Sequence, residues 1–216
     1  MEKTIRVTGK AKIAASPDTI RLTLTSTGEN KDYDHCRESS MNANKSIQKA
    51  IGKEGIPQKE LKTKSYRIET VYERQKKNGT SVSVFMGYQY MHTMSLEIPL
   101  DNNLLGKILH SLSQLSNPPE IRMAYSIKNP EKVKNKAMAK AIKDSQEKAR
   151  CLTKAAGVQL GDIIDINYSW DSVEFIHDWN ISAPGNVCYG SVIGSADFTP
   201  EDINIEDTVT IEWQIR

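Results

Sequence analysis

The chain has 216 residues, of which 26% are charged and 38% hydrophobic, enough to bury a core as one domain or as two lobes sharing an interface. That balance excludes a disordered or collagenous chain. The formal charge of +2 conceals a division: from Gly157 onward eleven acidic residues stand against one arginine, Arg216, so that stretch carries −10 and residues 1–156 carry +12.

The first element in chain order is a strand in which Ile5, Val7, Gly9, Ala11 and Ile13 alternate with polar residues. Gly9 marks a bulge or the close approach of another element. After the Pro17-Asp18 turn, Ile20, Leu22 and Leu24 define a second strand, expected to pair with the first. A helix follows from Asp32 or Asp34 to Glu54, with Cys36, Ser40, Ala43, Ile47, Ala50 and Ile51 on its apolar face and Gly55 as its stop. Tyr66, Ile68, Thr70 and Tyr72 then alternate ahead of Asn78-Gly79, which predicts a type I′ hairpin. In the strand that returns, the even positions from Val82 to Ile98 are expected on one side. A strand of that length must bend, bulge near Gly87, or serve two packing surfaces.

Residues 101–115 predict a short helix capped by Asp101, with Leu105, Ile108, Leu109 and Leu112 inward. Ile121, Met123, Tyr125 and Ile127 make a strand. The longest helix runs from Asn129, its cap, through Pro130 at the first helical position to Gly157. Its stripe of Val133, Ala137, Met138, Ala141, Ile142, Ser145, Ala149, Leu152, Ala155 and Ala156 is mostly alanine and suits close packing on a sheet. A strand from Leu160 to Trp170 follows, then some 35 residues of mixed polar and aromatic character from Asp171 to Ile205. Val209, Ile211, Trp213 and Ile215 close the chain as a strand.

Chemical motifs are sparse. Cys36, Cys151 and Cys188 form no CxxC, zinc spacing or disulfide framework, and Cys36 and Cys151 read as small hydrophobic residues of helices. His35, His92, His110 and His177 have no paired ligand spacing apart from a loose Glu174, His177, Asp178 cluster, which reads as solvated loop. His92, among Tyr88, Tyr90 and Met94, reads as a hydrogen-bonded core or interface histidine. Gly185, Gly190 and Gly194 lack a phosphate-binding pattern, and Gly190-Ser191-Val192-Ile193-Gly194 falls short of a nucleophile elbow. No catalytic residue, metal ligand or cofactor is assigned.

Lys59, Lys62, Lys64, Arg67, Arg74, Lys76 and Lys77 gather around the hairpin, and eight more basic residues lie on the long helix. No nucleic-acid module accompanies them, so they read as a solvated face or one half of a subunit contact. The division of charge suggests head-to-tail self-association. Candidate interface residues are Trp170, Phe175, Trp179 and Tyr189 in the aromatic segment, with Lys136, Lys140 and Lys143 on the long helix. The chain opens on strand residues without a signal-peptide pattern, and no apolar run is long enough for a transmembrane segment. The expected location is the cytoplasm, or outside it where a signal has been removed.

Several motifs together resemble the SIMPL domain family, formerly a domain of unknown function. They are Ile5-Arg-Val-Thr-Gly-Lys-Ala with Pro17-Asp18, Gly55-Ile56, Leu61-Lys-Thr-Lys-Ser-Tyr66, Gly87-Tyr88, Lys140-Ala-Ile-Lys-Asp-Ser-Gln-Glu-Lys-Ala149, Ala156-Gly157, Leu160-Gly161 and the last strand. Ser145-Gln146 departs from the arginine found there in many members, a difference expected to alter the helix surface. The resemblance implies an α+β protein that forms large oligomers, with links to stress response or the bacterial envelope. It supplies no catalytic residues.

The resulting expectation is an α+β fold of curved antiparallel sheets packed against two long helices and one short helix, in the order ββαββαβαββ. A lobe of residues 1–100 and a second of 101–216 share the long strand 80–98 within a single SIMPL-type domain. The expected role is non-enzymatic: a homo-oligomer or protein-interaction protein, with neither nucleic acid nor cofactor as partner. The alternatives from other classes are a small-molecule-binding or hydrolytic enzyme with an intersubunit site, and nucleic-acid binding through the basic first 156 residues.

Overall fold

The computed structural model describes residues 3–77, 80–168, 176–179 and 199–216, with backbone only for 77, 80 and 176–179. The elements are β1 (Thr4–Ala15), β2 (Thr19–Asn30), α1 (Tyr33–Lys53), β3 (Lys62–Lys77), β4 (Thr80–Pro99), α2 (Asn102–Ser113), β5 (Glu120–Ser126), α3 (Pro130–Ala155), β6 (Leu160–Asn167), β7 (Ile176–Trp179) and β8 (Ile203–Ile215). The α+β class stands. The order contains β7, absent from the expected series, and β8 begins at Ile203, inside the stretch read as irregular.

The strands form two sheets, β1-β8-β6 and β3-β4-β2-β5-β7. The expected curvature is corrected: both sheets are open, each with two edge strands. The β1–β8 register runs unbroken from Thr4↔Gln214 to Ala15↔Ile203, and β2–β4 from Thr19↔Pro99 to Asn30↔Tyr88. Bulges, which bend sheets, fall in β3–β4 and β6–β8, and the β1–β8 and β2–β4 pairs have none. The expected pairing of β1 with β2 does not occur. The two strands enter different sheets, because alternation sets which face of a strand is buried and leaves its partner open.

The chain divides into two units, one from the described residues of 1–18, 126–177 and 200–216, the other from those of 19–125 and 178–199. In the first, α3 covers one face of β1 and β8. Val7, Val209, Ile211 and Trp213 meet Ala141 and Ala149 there, and Ile13, Ile203 and Ile205 meet Ala137. The other face is polar, with Arg6 on Glu212 at 2.7 Å, Thr8 on Thr210 at 2.9 Å and Lys12 near Glu206 at 3.0 Å.

Asn129 caps α3 by accepting from the Lys132 N–H, and Pro130 opens its first turn. The buried row is Ala137, Ala141, Ser145, Ala149 and Thr153 at a step of four, while Leu152, Ala155 and Ala156 of the expected stripe are exposed. Close contact explains the small residues. A Cβ on Gly9 would stand 2.0 Å from the Ala141 carbonyl oxygen and 2.6 Å from the Ser145 nitrogen, so Gly9 is a packing glycine. Ser145 is fully buried and its hydroxyl donates to the Val7 carbonyl at 3.0 Å. It is therefore a packing residue, as its place in the expected stripe requires.

In the second unit β2, β4 and β5 bury Ile20, Leu22, Leu24, Met94, Leu96, Ile98, Ile121, Met123 and Tyr125 under α1 and α2. The inward residues of α2 are Leu105, Ile108, Leu109 and Leu112, as its periodicity requires, and Asp101 caps it by accepting from the Asn103 and Leu104 N–H groups. Each such aliphatic side chain contributes roughly 1.5–3 kcal/mol by leaving water.

Candidate functional site

The feature that stands apart is the outer end of the β3–β4 hairpin. β2 leaves β4 at the Asn30↔Tyr88 pair, whereas β3 and β4 continue to Lys77↔Thr80. Beyond Tyr88 the two strands therefore form an arm without a third strand beside it among the described residues. A lone two-stranded ribbon is marginal in water unless an apolar face finds a partner.

A bulge sets which residues this arm displays. Val71 pairs with Gly87 and Tyr72 with Phe85, so Met86 is an extra residue. Gly87 takes φ 139°, and a Cβ there would stand 2.5 Å from the Asn30 carbonyl oxygen. The extra residue inverts the phase of β4. The expectation that all even positions from Val82 to Ile98 share one side is thus corrected: Tyr90, His92, Met94, Leu96 and Ile98 are buried, whereas Val82, Val84 and Met86 are exposed. Phe85, an odd position, moves onto the face of Tyr88.

The result is a row of rings. Tyr33, from the first turn of α1, stands edge-on to Tyr88 at 5.4 Å, Tyr88 to Phe85 at 5.4 Å and Phe85 to Tyr72 at 5.7 Å. Such edge contacts favour the quadrupoles of the rings. Phe85 is nonetheless 46% exposed and Tyr72 59%. With Val82 and Val84 uncovered on the opposite face, the arm shows apolar side chains on both sides.

The same face continues inward to a groove of about 410 Å³ between α1 and the hairpin, lined by Tyr33, Arg37, Met41, Tyr66, Ile68 and His92 among others. His92 closes its inner end. The Nε2 atom of its ring lies 3.0 Å from the Thr63 hydroxyl and its plane meets Tyr66 edge-on at 5.3 Å. Burial holds its pKa below the ordinary 6.5. The reading of His92 as a hydrogen-bonded core histidine stands. A second cavity of about 400 Å³ lies between α1 and α2, with Lys49, Lys53 and His110 at its wall.

Other sequence candidates disperse. His35 is exposed beside Asp32 at 3.2 Å. Among the described residues no group of three His, Cys, Asp or Glu side chains is placed to hold a metal. Cys36 is buried on α1, where desolvation raises its thiol pKa, but Cys151 is exposed on α3, against expectation. Lys136, Lys140 and Lys143 lie on the exposed side of α3, Lys143 within 3.8 Å of Glu147. Trp170, Phe175 and Tyr189 lie outside the described residues, as do Glu174, Cys188, the 190–194 glycine-serine motif and the Asn78-Gly79 turn. Trp179 has only its backbone described, in β7.

Lys62, Lys64, Arg67, Arg74 and Lys76 are exposed on β3, and Lys59 just ahead of it; Arg67 stands 3.7 Å from Glu69. The strand expected from Leu160 to Trp170 is β6, Leu160–Asn167, but its exposure was not read from the sequence: Ile163, Ile164 and Ile166 are 46%, 46% and 50% exposed. Their run of isoleucines was the available signal, and it reads equally as a buried strand. No helix among the described residues is long and apolar enough to cross a membrane.

Two sheets with helices packed against them make this an α+β protein. A family model described as SIMPL, a protein of unknown function (DUF541), matches residues 5–213, and the chain belongs to that family. It is also similar to the 26 kDa periplasmic immunogenic protein of Brucella melitensis biotype 1 and to its namesake in Brucella abortus strain S19. Each is 28% identical over 164 residues, which cover 76% of this chain and 65% of the relative. The matched region thus spans under two thirds of the length of these relatives.

Proposed function

We propose that this protein is a non-enzymatic assembly or protein-binding component whose working surface is the β3–β4 arm. The observation that carries this reading is the arm itself, a ribbon beyond β2 that leaves Tyr72, Phe85, Val82 and Val84 uncovered. Contiguous apolar surface of that kind marks an interaction site, and an identical chain is the partner always present at equal concentration. The exposed lysines of α3, Lys136, Lys140 and Lys143, belong to the basic surface of the same assembly. The word periplasmic in the names of the Brucella relatives supports a location outside the cytoplasm, and the family resemblance alone supports a link to stress response.

Light scattering after size exclusion tests the reading. At tens of micromolar the full chain is expected as a particle of several times the 24.2 kDa single-chain mass. Val84→Ser with Phe85→Ser is expected to return it towards single chains with an unchanged far-UV spectrum. A mass of 24.2 kDa at every concentration overturns the proposal.

A further inference from the structure

The open edges of the two sheets differ in charge and in how they are covered. In the three-stranded sheet the β1 edge is closed by α3: the Lys10 N–H donates to Asp144 at 2.8 Å and the Ser145 hydroxyl donates to the Val7 carbonyl at 3.0 Å. The other edge, β6, has no strand beyond it among the described residues. Residues 162–167 are all exposed, three isoleucines and two aspartates among them. In the five-stranded sheet β3 is an edge among the described residues, and its outer half carries Arg74, Lys76 and Lys77 against the one carboxylate Glu73, with Val71 and Tyr72. Among the described residues both strands are edges without a further strand partner, beside apolar side chains, the condition under which strands from different chains join.

We infer that β6 of one copy adds to the outer half of β3 in the next, joining the two kinds of sheet head to tail; this rests on the assembly reading above. Charge decides the pairing. β3 against β3 sets like charges across the new ladder, as does β6 against β6, and both are unfavourable. β6 against β3 brings Asp162 and Asp165 to a strand rich in lysine and arginine. Local partners only partly engage the aspartates: Asp162 lies 3.6 Å from Arg216 with its side chain 88% exposed, and Asp165 raises the pKa of Arg6 through space. The contact joins different patches of the two copies, so it is heterologous and propagates until the rotation closes a ring.

A charge exchange tests it. One full-length variant carries Asp162→Lys and Asp165→Lys, the other Arg74→Glu and Lys76→Glu, all at exposed positions. Each variant alone is expected to scatter as single chains, because β6 and β3 then repel. An equimolar mixture is expected to recover the large particle, since each variant supplies the complement the other lacks. Recovery to at least half the original mass supports the strand pairing. Variants that assemble alone as the original chain does, or a mixture that stays at single-chain mass, overturn it while the assembly reading stands. An original chain that is itself monomeric overturns both.

Discussion

His92 illustrates how burial converts an ordinary residue into a pH-sensitive one. It follows Tyr90 on the buried face of β4, and among the described residues Thr63 and Tyr66 meet its ring through polar or aromatic contact. Neither is a carboxylate that would offset the cost of charging it. Its folded pKa lies below 6.5, so the unfolded chain binds the proton more readily, and stability falls as pH drops through that value. The thermal midpoint is expected to decline between about pH 7 and pH 5, and His92→Gln is expected to flatten that part of the curve. Parallel curves for the two proteins count against the assignment. Asp144 and Glu212, whose pKa values are lowered chiefly by hydrogen bonds from Lys148 and Arg6, act only at more acidic pH. Neither position of His92 on its strand nor its neighbours needed the structure to be read. Its hydrogen bond to Thr63 did, because a bulge between Thr63 and Ser65 sets that part of the register.

At the scale of elements, α3 and β1 fit because each lacks bulk where they meet. The alanines at a step of four and Gly9 form one contact, with a missing Cβ where the Ala141 carbonyl passes. Gly9→Ala is expected to cost about 3 kcal/mol, since the helix must move off the sheet, and urea unfolding measures it. A loss below about 0.5 kcal/mol shows that the contact is looser than the structure has it. Helix limits were legible because caps are local: Asn129, Pro130, Asp101, Gly55 and Gly157 all stand where the sequence places them. The stripe of α3 was legible only in part. Leu152 has the right spacing and is left exposed, because the buried row passes through Ala149 and Thr153 at a step of four and Leu152 lies to its side. The hairpin register was likewise half legible. Gly87 signals a bulge, but that Met86 is the extra residue, and Phe85 rather than Val84 joins the ring row, follows from the pairing with β3.

For the whole molecule the division of charge is what the proposed strand pairing rests on. Basic and acidic strands attract over about 8 Å at physiological ionic strength and about 3 Å at 1 M salt. An assembly built on β3 and β6 is therefore expected to shrink as salt rises from about 0.05 to 1 M in light scattering. A particle that grows with salt points to the apolar face of the arm as the dominant contact instead, since apolar association persists while charge is screened. The candidate surface named from the sequence, around Trp170, Phe175, Trp179 and Tyr189, lies outside the residues whose side chains the structure describes. The surface that emerges is built from the hairpin and β6.

By itself the sequence determined the α+β class, the helix boundaries, the faces that β2 and β8 bury, and membership of the SIMPL family, because caps and periodicity act over a few residues. The tertiary structure decided which strands pair, that the sheets are open, and which apolar residues remain uncovered. β1 and β2 share the same alternation and lie side by side in sequence, yet one joins β8 and the other β4. Pairing between strands is set by contacts far apart along the chain, and no local pattern encodes them.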